Sequence, residues 1–286
     1  MAKTYTKSLW ICMGYLRRQT REPKCILTVI LVLIFTNVYT EEILNFAGTT
    51  DYGITPWIGV FFTTTRFPRL IMQILFLLLI SDLPFRKRND MFFLLRSGRR
   101  AFCVGNLLFV WISAAIFSIC VVFCSGIWGI GHMEWSMKWG KIIGTLALTD
   151  AGDAFTHSVG VSTRLVSKQE PLFCALTAFF LFLFCNILLG QVYICCNLLS
   201  QGKNRGIILC GALLLWDFMI QSDPVLWKFA YASPISWSNL TCLDLTWNVT
   251  QFPSLAYAWA MYLFCNTALA VTALLLSKRI RICEEQ

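Results

Sequence analysis

The chain has 286 residues, of which 57% are hydrophobic and 14% charged, with a formal net charge of +9. Ordinary globular domains carry about 25% charged residues, so this composition excludes a disordered chain, a coiled coil and a typical cytosolic enzyme. It points to a polytopic membrane protein.

In chain order, residues 1–24 read as an amphipathic helix lying on the inner leaflet. Trp10, Ile11, Met13 and Leu16 supply apolar anchors, Lys7, Arg17, Arg18 and Arg21 supply charge, and Pro23 breaks the helix. A span needs about 20 apolar residues, and uncharged runs place six: 25–45, 60–82, 101–127, 173–199, 206–222 and 256–277. The second has to borrow upstream across Arg66 and Arg69, because Leu70 to Ser81 is too short alone. The first lacks a small-x-small cleavage site after it and is expected to be a retained anchor.

Between spans two and three, Ser/Asp, an early Pro and Gly98 bracket a short helix over 84–97. It mixes Phe85, Arg86, Lys87, Arg88, Phe92, Phe93 and Arg96. Residues 131–170 carry Trp135, Trp139, Ile142, Ile143 and Leu146 at helical spacing, which predicts an interfacial helix on the outer leaflet. Residues 223–255 are aromatic-rich and cut by Pro224, Pro234 and Pro253, which predicts re-entrant or interfacial helices. With the N-terminus inside, 17 of the 24 Lys and Arg fall in inside segments, so both termini are expected to be cytoplasmic. The net charge follows from this topology and gives no ground for nucleic-acid binding.

Thirteen cysteines suggest disulfides, yet only Cys242 falls clearly outside. Most of the cysteine reads as small apolar filler. With two His and no paired Cys-x-x-Cys, no metal site is expected.

Polar residues within or beside the spans are the candidate site. Arg66 and Arg69 are three apart and share a helix face. Snorkelling to the outer headgroups is favoured for them over a cationic vestibule. For Asp217, structural pairing or exposure at an interface is favoured over proton coupling. Asn106, Asn186 and Gln191 can bond between helices or touch substrate. Gly126, Gly129 and Gly131, near the end of the third span, read as a break in the helix rather than a ligand loop. Glu41–Glu42 opens the E-E-x-x-x-R pattern of intramembrane proteases, but Phe46 stands where Arg is required. NLT at Asn239 and NVT at Asn248 are sequons, usable only in a eukaryote. There is no serine-hydrolase elbow, zincin motif or phosphate loop, so catalysis is not expected.

The layout resembles the ABC-2-type permeases, the membrane subunits of many bacterial ABC exporters. SDLPFRKRNDMFFLLRSGRR (Ser81 to Arg100), running into AFCVGNLL, is similar to the SDxPF…LLRxGRxxWxxG region of small Firmicutes permeases. YASPISWSNL (Tyr231 to Leu240) resembles their S-P-x-S-W segment. Phe102 departs from the Trp that is frequent in the first motif. The resemblance implies one all-α transmembrane domain over 1–286, with six helices, the N-terminal interfacial helix and a coupling helix at 84–97. It also implies a second permease copy or paralogue as partner, and a cytoplasmic ATPase on which Phe85 to Arg88, Phe92, Phe93 and Arg96 would dock. ATP and Mg would belong to that partner, since no Walker A string occurs here. Arg66, Arg69, Asn106, Asn186, Asp217, Tyr231, Pro234 and Trp237 are then candidates for a translocation path or outer gate. The expected cargo is amphiphilic: a peptide, lipid or drug-like molecule. A secondary transporter or channel, and a non-transport immunity or sensor subunit, remain as alternatives.

Overall fold

A computed structural model describes residues 2–50, 52–83, 94–149, 160–200, 205–245 and 251–279. The expected coupling residues Phe85, Arg86, Lys87, Arg88, Phe92 and Phe93 lie outside them, as does Asn248.

The described chain is helical: α1 (Ala2–Gln19), α2 (Pro23–Gly48), α3 (Gly59–Thr64), α4 (Arg66–Ile80), α5 (Arg99–Ile127), α6 (Gly140–Leu148), α7 (Thr163–Lys168), α8 (Pro171–Leu199), α9 (Arg205–Ser222) and α10 (Leu255–Leu276). Short 3-10 turns connect them. Five helices (α2, α5, α8, α9, α10) are long and apolar enough to cross a membrane, and the bent pair Pro56–Thr64 plus Arg66–Ile80 makes six if it is one span.

Local chemistry sets the boundaries. Pro23 and Pro171 open α2 and α8 at a position where the missing N–H is not needed. Ser254 caps α10 by accepting from the Tyr257 backbone N–H. Gly98, at φ 87°, makes the left-handed step into α5 that a side chain would strain. α5 ends at Ile127, where the glycines begin.

The second span differs from the single helix expected over 60–82. It is broken at Thr65, and the two halves meet at 82°. Thr65 is extended, with φ −81° and ψ 141°. Pro68 is the cause: a continuous helix would drive its ring into the Thr64 carbonyl and leave that carbonyl without a donor. In the first turn of a new helix the same proline is tolerated, and α4 restarts there.

α5 and α8 form the central pillar. About half of their apolar windows is buried inside the chain, 50% and 56%, against 28% for α2 and α9 and 17% for α10. Lipid is as apolar as leucine, so close packing rather than exclusion from water holds such a bundle together. Gly190 of α8 faces the Val110 side chain of α5, and a Cβ there would collide with it. Phe117 of α5 stacks between Phe76 of α4 and Phe182 of α8, at 5.6 and 6.5 Å.

α1 differs in detail from its expected placement. Ser8, Ile11, Cys12 and Tyr15 form a buried stripe against α5, at helical spacing. Ser8 Oγ donates to the Ala101 carbonyl at 3.1 Å, and Gly105 lets Ile11 approach. Trp10 and Met13, read as anchors beside Ile11, sit on a different face and stay exposed. The helix therefore has two apolar faces, one packed on protein and one, with Trp10 and Met13, exposed. The end of the connector before α5 is held on it: Lys7 donates to the Arg96 carbonyl at 3.5 Å, and the Arg96 guanidinium lies 5.7 Å from the Trp10 ring.

α6 also differs from expectation. Its apolar face (Ile142, Ile143, Leu146) is buried in the protein core rather than laid on a leaflet. Trp139 is anchored by donating to the Gln169 carbonyl at 2.8 Å and packs 5.6 Å from Phe61. Trp135, read as part of the same face, is 84% exposed and lies before the helix.

Candidate functional site

At the end of the bundle away from α1, the chain between α9 and α10 folds back as 3-10 turns over Pro224–Tyr231, Ser236–Ser238 and Leu240–Cys242. Three prolines and alternating serines prevent a regular helix here. Asp223 opens the segment by accepting from the Val225 N–H at 2.9 Å.

Asp217, one turn before the end of α9, clasps this segment to the bundle. One carboxylate oxygen accepts from Arg69 Nη2 at 2.6 Å and from Gln221 Nε2 at 2.7 Å. The other accepts from Ser236 Oγ at 2.6 Å. Arg69 Nη1 also donates to Ser238 Oγ at 3.4 Å. The side chains of Arg69 and Asp217 are only 1% and 6% exposed. A charge removed from water costs several kcal/mol unless it is paired and bonded (roughly 3–5 kcal/mol when one partner is lost). Here both charges are paired and bonded.

This corrects the snorkelling expectation for Arg69. The break at Thr65 turns the start of α4 inward, and a buried carboxylate holds the guanidinium better than a distant headgroup. Arg66 takes a different course. Its guanidinium lies 3.7 Å from the Phe218 ring centroid and 5.3 Å from Phe67, a cation–π arrangement. Its buried Nε has no hydrogen-bond partner among the described residues. The pairing expected for Asp217 is present.

The rest of the returning segment is tied by its own polar groups. Tyr262 of α10 donates to the Pro234 carbonyl at 2.7 Å, and Trp237, 2% exposed, donates to the Ala230 carbonyl at 3.0 Å. Tyr257 donates to the Tyr231 carbonyl at 3.0 Å, and Tyr231 to that of Phe252 at 3.2 Å. Tyr231 itself is 43% exposed, at the rim. Asn239 is buried, its amide donating to Gln221 Oε1 at 3.1 Å, so the folded chain has no room for a glycan there.

Beneath the clasp, polar groups continue into the bundle. Cys185 of α8 lies beside Tyr262, Ser238 and Arg69, and Gln73 of α4 donates to its Sγ at 3.2 Å. Asn186 donates to Ser118 Oγ at 3.5 Å. With its amide turned to the orientation that satisfies both groups, Gln191 bridges helices, donating to the Asn266 carbonyl at 2.9 Å and accepting from the Trp111 indole at 3.0 Å. The side-chain carbonyl oxygens of Gln73, Asn106 and Asn186 are buried without a partner among the described residues.

The structure thus brings together Arg69, Asp217, Pro234 and Trp237, places Arg66 and Tyr231 at the edge and Asn186 deeper. Asn106 stands apart toward α1, next to the Gly105 contact. Arg96, in the connector before α5, is exposed, with its guanidinium over Trp10 of α1. Sequence reasoning missed Gln73, Gln221, Ser236, Ser238 and Tyr262. A lone amide in the run LIMQILFLLLIS was a usable signal for Gln73. Ser236 stands in the S-P-x-S-W segment, but that motif does not say what the serine binds, and Ser238 carries no signal, since both roles depend on a fold-back of the chain.

The twelve described cysteines are free thiols. Outside the spans, burial pushes the thiols of Cys12 and Cys242 above their ordinary value.

The chain matches no protein-family model, no curated protein and no solved structure.

Proposed function

We propose that this chain is the membrane-spanning permease subunit of an ABC-2-type transporter, which exports an amphiphilic substrate with a separate ATPase. One observation carries the reading. The end of the connector before α5 is bonded to α1, and α1 is packed on the start of α5. A push on that connector is therefore delivered to the central pillar. α8 of that pillar reaches the Arg69–Asp217 clasp through Cys185. A cytoplasmic motor and an outer closure would be the two ends of one mechanical path.

In this reading the membrane is the plasma membrane, and the N- and C-termini are cytoplasmic, the side that the distribution of Lys and Arg favours. Closure of the ATPase on ATP would shift the connector and select a second packing of the helices by its different contacts in the two states. A second copy or a paralogue would complete the path. ATP hydrolysis would belong to the partner.

The test is a mild-detergent pull-down from the native host, with a Phe92→Asp/Phe93→Asp variant as control. A stoichiometric ATPase that is lost in the control supports both the class and the docking site. An ATPase that persists in the control leaves the class and refutes the docking site. If no ATPase accompanies a folded, abundant protein, the reading fails.

One observation favours a second reading, a secondary carrier. A buried ionisable pair, with amide oxygens below it that have no partner among the described residues, is a feature of ion paths. Proton- or ion-driven uptake into vesicles holding this chain alone would support that reading.

A further inference from the structure

At the α1 end of the bundle, a cleft of about 450 Å³, mouth included, opens between the end of α1, the start of α2 and the end of α4. Leu79, Ile80 and Phe109 contribute apolar lining. The rim carries two ion pairs, Lys24 with Asp82 at 2.8 Å and Arg18 with Glu22 at 3.5 Å. All four side chains are 20–32% exposed. Outward from the cleft, α2 presents Ile26, Leu27, Val29 and Ile30, each at least 40% exposed.

We infer that this cleft binds a membrane glycerophospholipid with a primary-ammonium headgroup, of the phosphoethanolamine type. Among the described residues the rim holds two cations and two carboxylates, which together carry no net charge with which to select an anionic lipid. It does offer a dipolar group both of its partners. The lipid phosphate would accept from Lys24 Nζ and Arg18, and its ammonium would donate to Asp82 and Glu22. Partly exposed ion pairs add little to stability, so exchanging one partner for a headgroup costs little. The acyl chains would lie along the exposed face of α2, at the depth where that helix becomes apolar. A quaternary ammonium has no N–H to donate, so the same rim discriminates against phosphocholine. The inference rests on the membrane-spanning fold and not on transport.

The test uses the full chain, delipidated in detergent and then offered single lipids of identical acyl chains, with retention read by native mass spectrometry. The lipids are phosphatidylethanolamine, its mono- and dimethyl derivatives, phosphatidylcholine and phosphatidylglycerol. One phosphatidylethanolamine per chain should be retained, falling with each methyl to about tenfold less for phosphatidylcholine, the factor one charge-assisted hydrogen bond supplies. The Lys24→Gln/Asp82→Asn variant should lose the preference. Leu79→Trp should block the cleft without altering a charge. Equal retention of phosphatidylcholine, or stronger retention of phosphatidylglycerol, overturns the inference. So does a preference that survives both variants. Soluble phosphoethanolamine that binds as well as the lipid would reject the membrane source. Circular dichroism checks both variants, and if either is misfolded the methylation series on the unaltered chain decides.

Discussion

Replacing Asp217 with Asn removes the charge that compensates Arg69 and leaves the shape nearly unchanged. Both side chains are almost fully enclosed, so solvent screening gives no relief. A stranded buried charge costs about 3–5 kcal/mol. At about 2–4 °C per kcal/mol for a chain of this size class, the apparent melting temperature in detergent should fall by roughly 6–20 °C. Heating the protein in steps and reading the monodisperse fraction by fluorescence-detected gel filtration measures this. Arg69→Met should do similar damage. The double variant Arg69→Met/Asp217→Leu should cost far less than the two singles together, because neither charge remains. It still deprives Ser236 and Gln221 of their acceptor, at about 1 kcal/mol each. If the double variant equals the sum of the singles within about 0.5 kcal/mol, the two residues are not coupled and the clasp argument is refuted.

Other consequences are as direct. Gly190→Val should wedge α5 from α8 at a cost of about 1–3 kcal/mol, and Val110→Ala should recover part of it, read by the same thermal assay. In Gly105→Val the new side chain would meet Ile11 and lift α1, exposing Cys12. Maleimide labelling of Cys12, confirmed by peptide mapping, should be slow in the unaltered chain and fast in the variant. Because burial raises the Cys242 thiol, its labelling should stay low at pH 8 and rise only well above the ordinary value of 9.0. The linked stability term has the same sign: it is fully present below pH 9.0 and declines as the pH rises from there toward the folded value, so the clasped end should loosen in alkali. Trp237→Phe removes only the indole bond to the Ala230 carbonyl and should cost about 1 kcal/mol.

The spans were legible because the signal for them is additive. A long uncharged run is a span wherever it packs, so α5, α8, α9 and α10 fall within one or two residues of expectation. The break at Thr65 was legible in principle from Pro68, but a length argument hid it by merging two short apolar pieces. The burial of Arg69 was not legible. Whether an arginine near a membrane surface turns out to lipid or in to a carboxylate depends on a residue 148 positions away. The same limit applies to α6, whose amphipathic pattern fits lipid or a protein neighbour equally well. α1 shows a third case: Ile11 and Trp10 are both apolar, and only the position of Gly105 decides which one faces protein.

The separation between Arg69 and Asp217 sets a schedule for synthesis. The chain is made from its N-terminus at about 5–20 residues per second, so Arg69 enters the bilayer some 7–30 s before its counter-charge exists. Gln73 likewise precedes Cys185 by 112 residues. During that interval the first half of the chain holds polar groups that lipid cannot satisfy. It must be sheltered by the insertion machinery or a membrane chaperone until α8 and α9 arrive. A ribosome that stalls before residue 217 releases a fragment with an unclaimed arginine, which gives quality control a mark by which to recognise and degrade it.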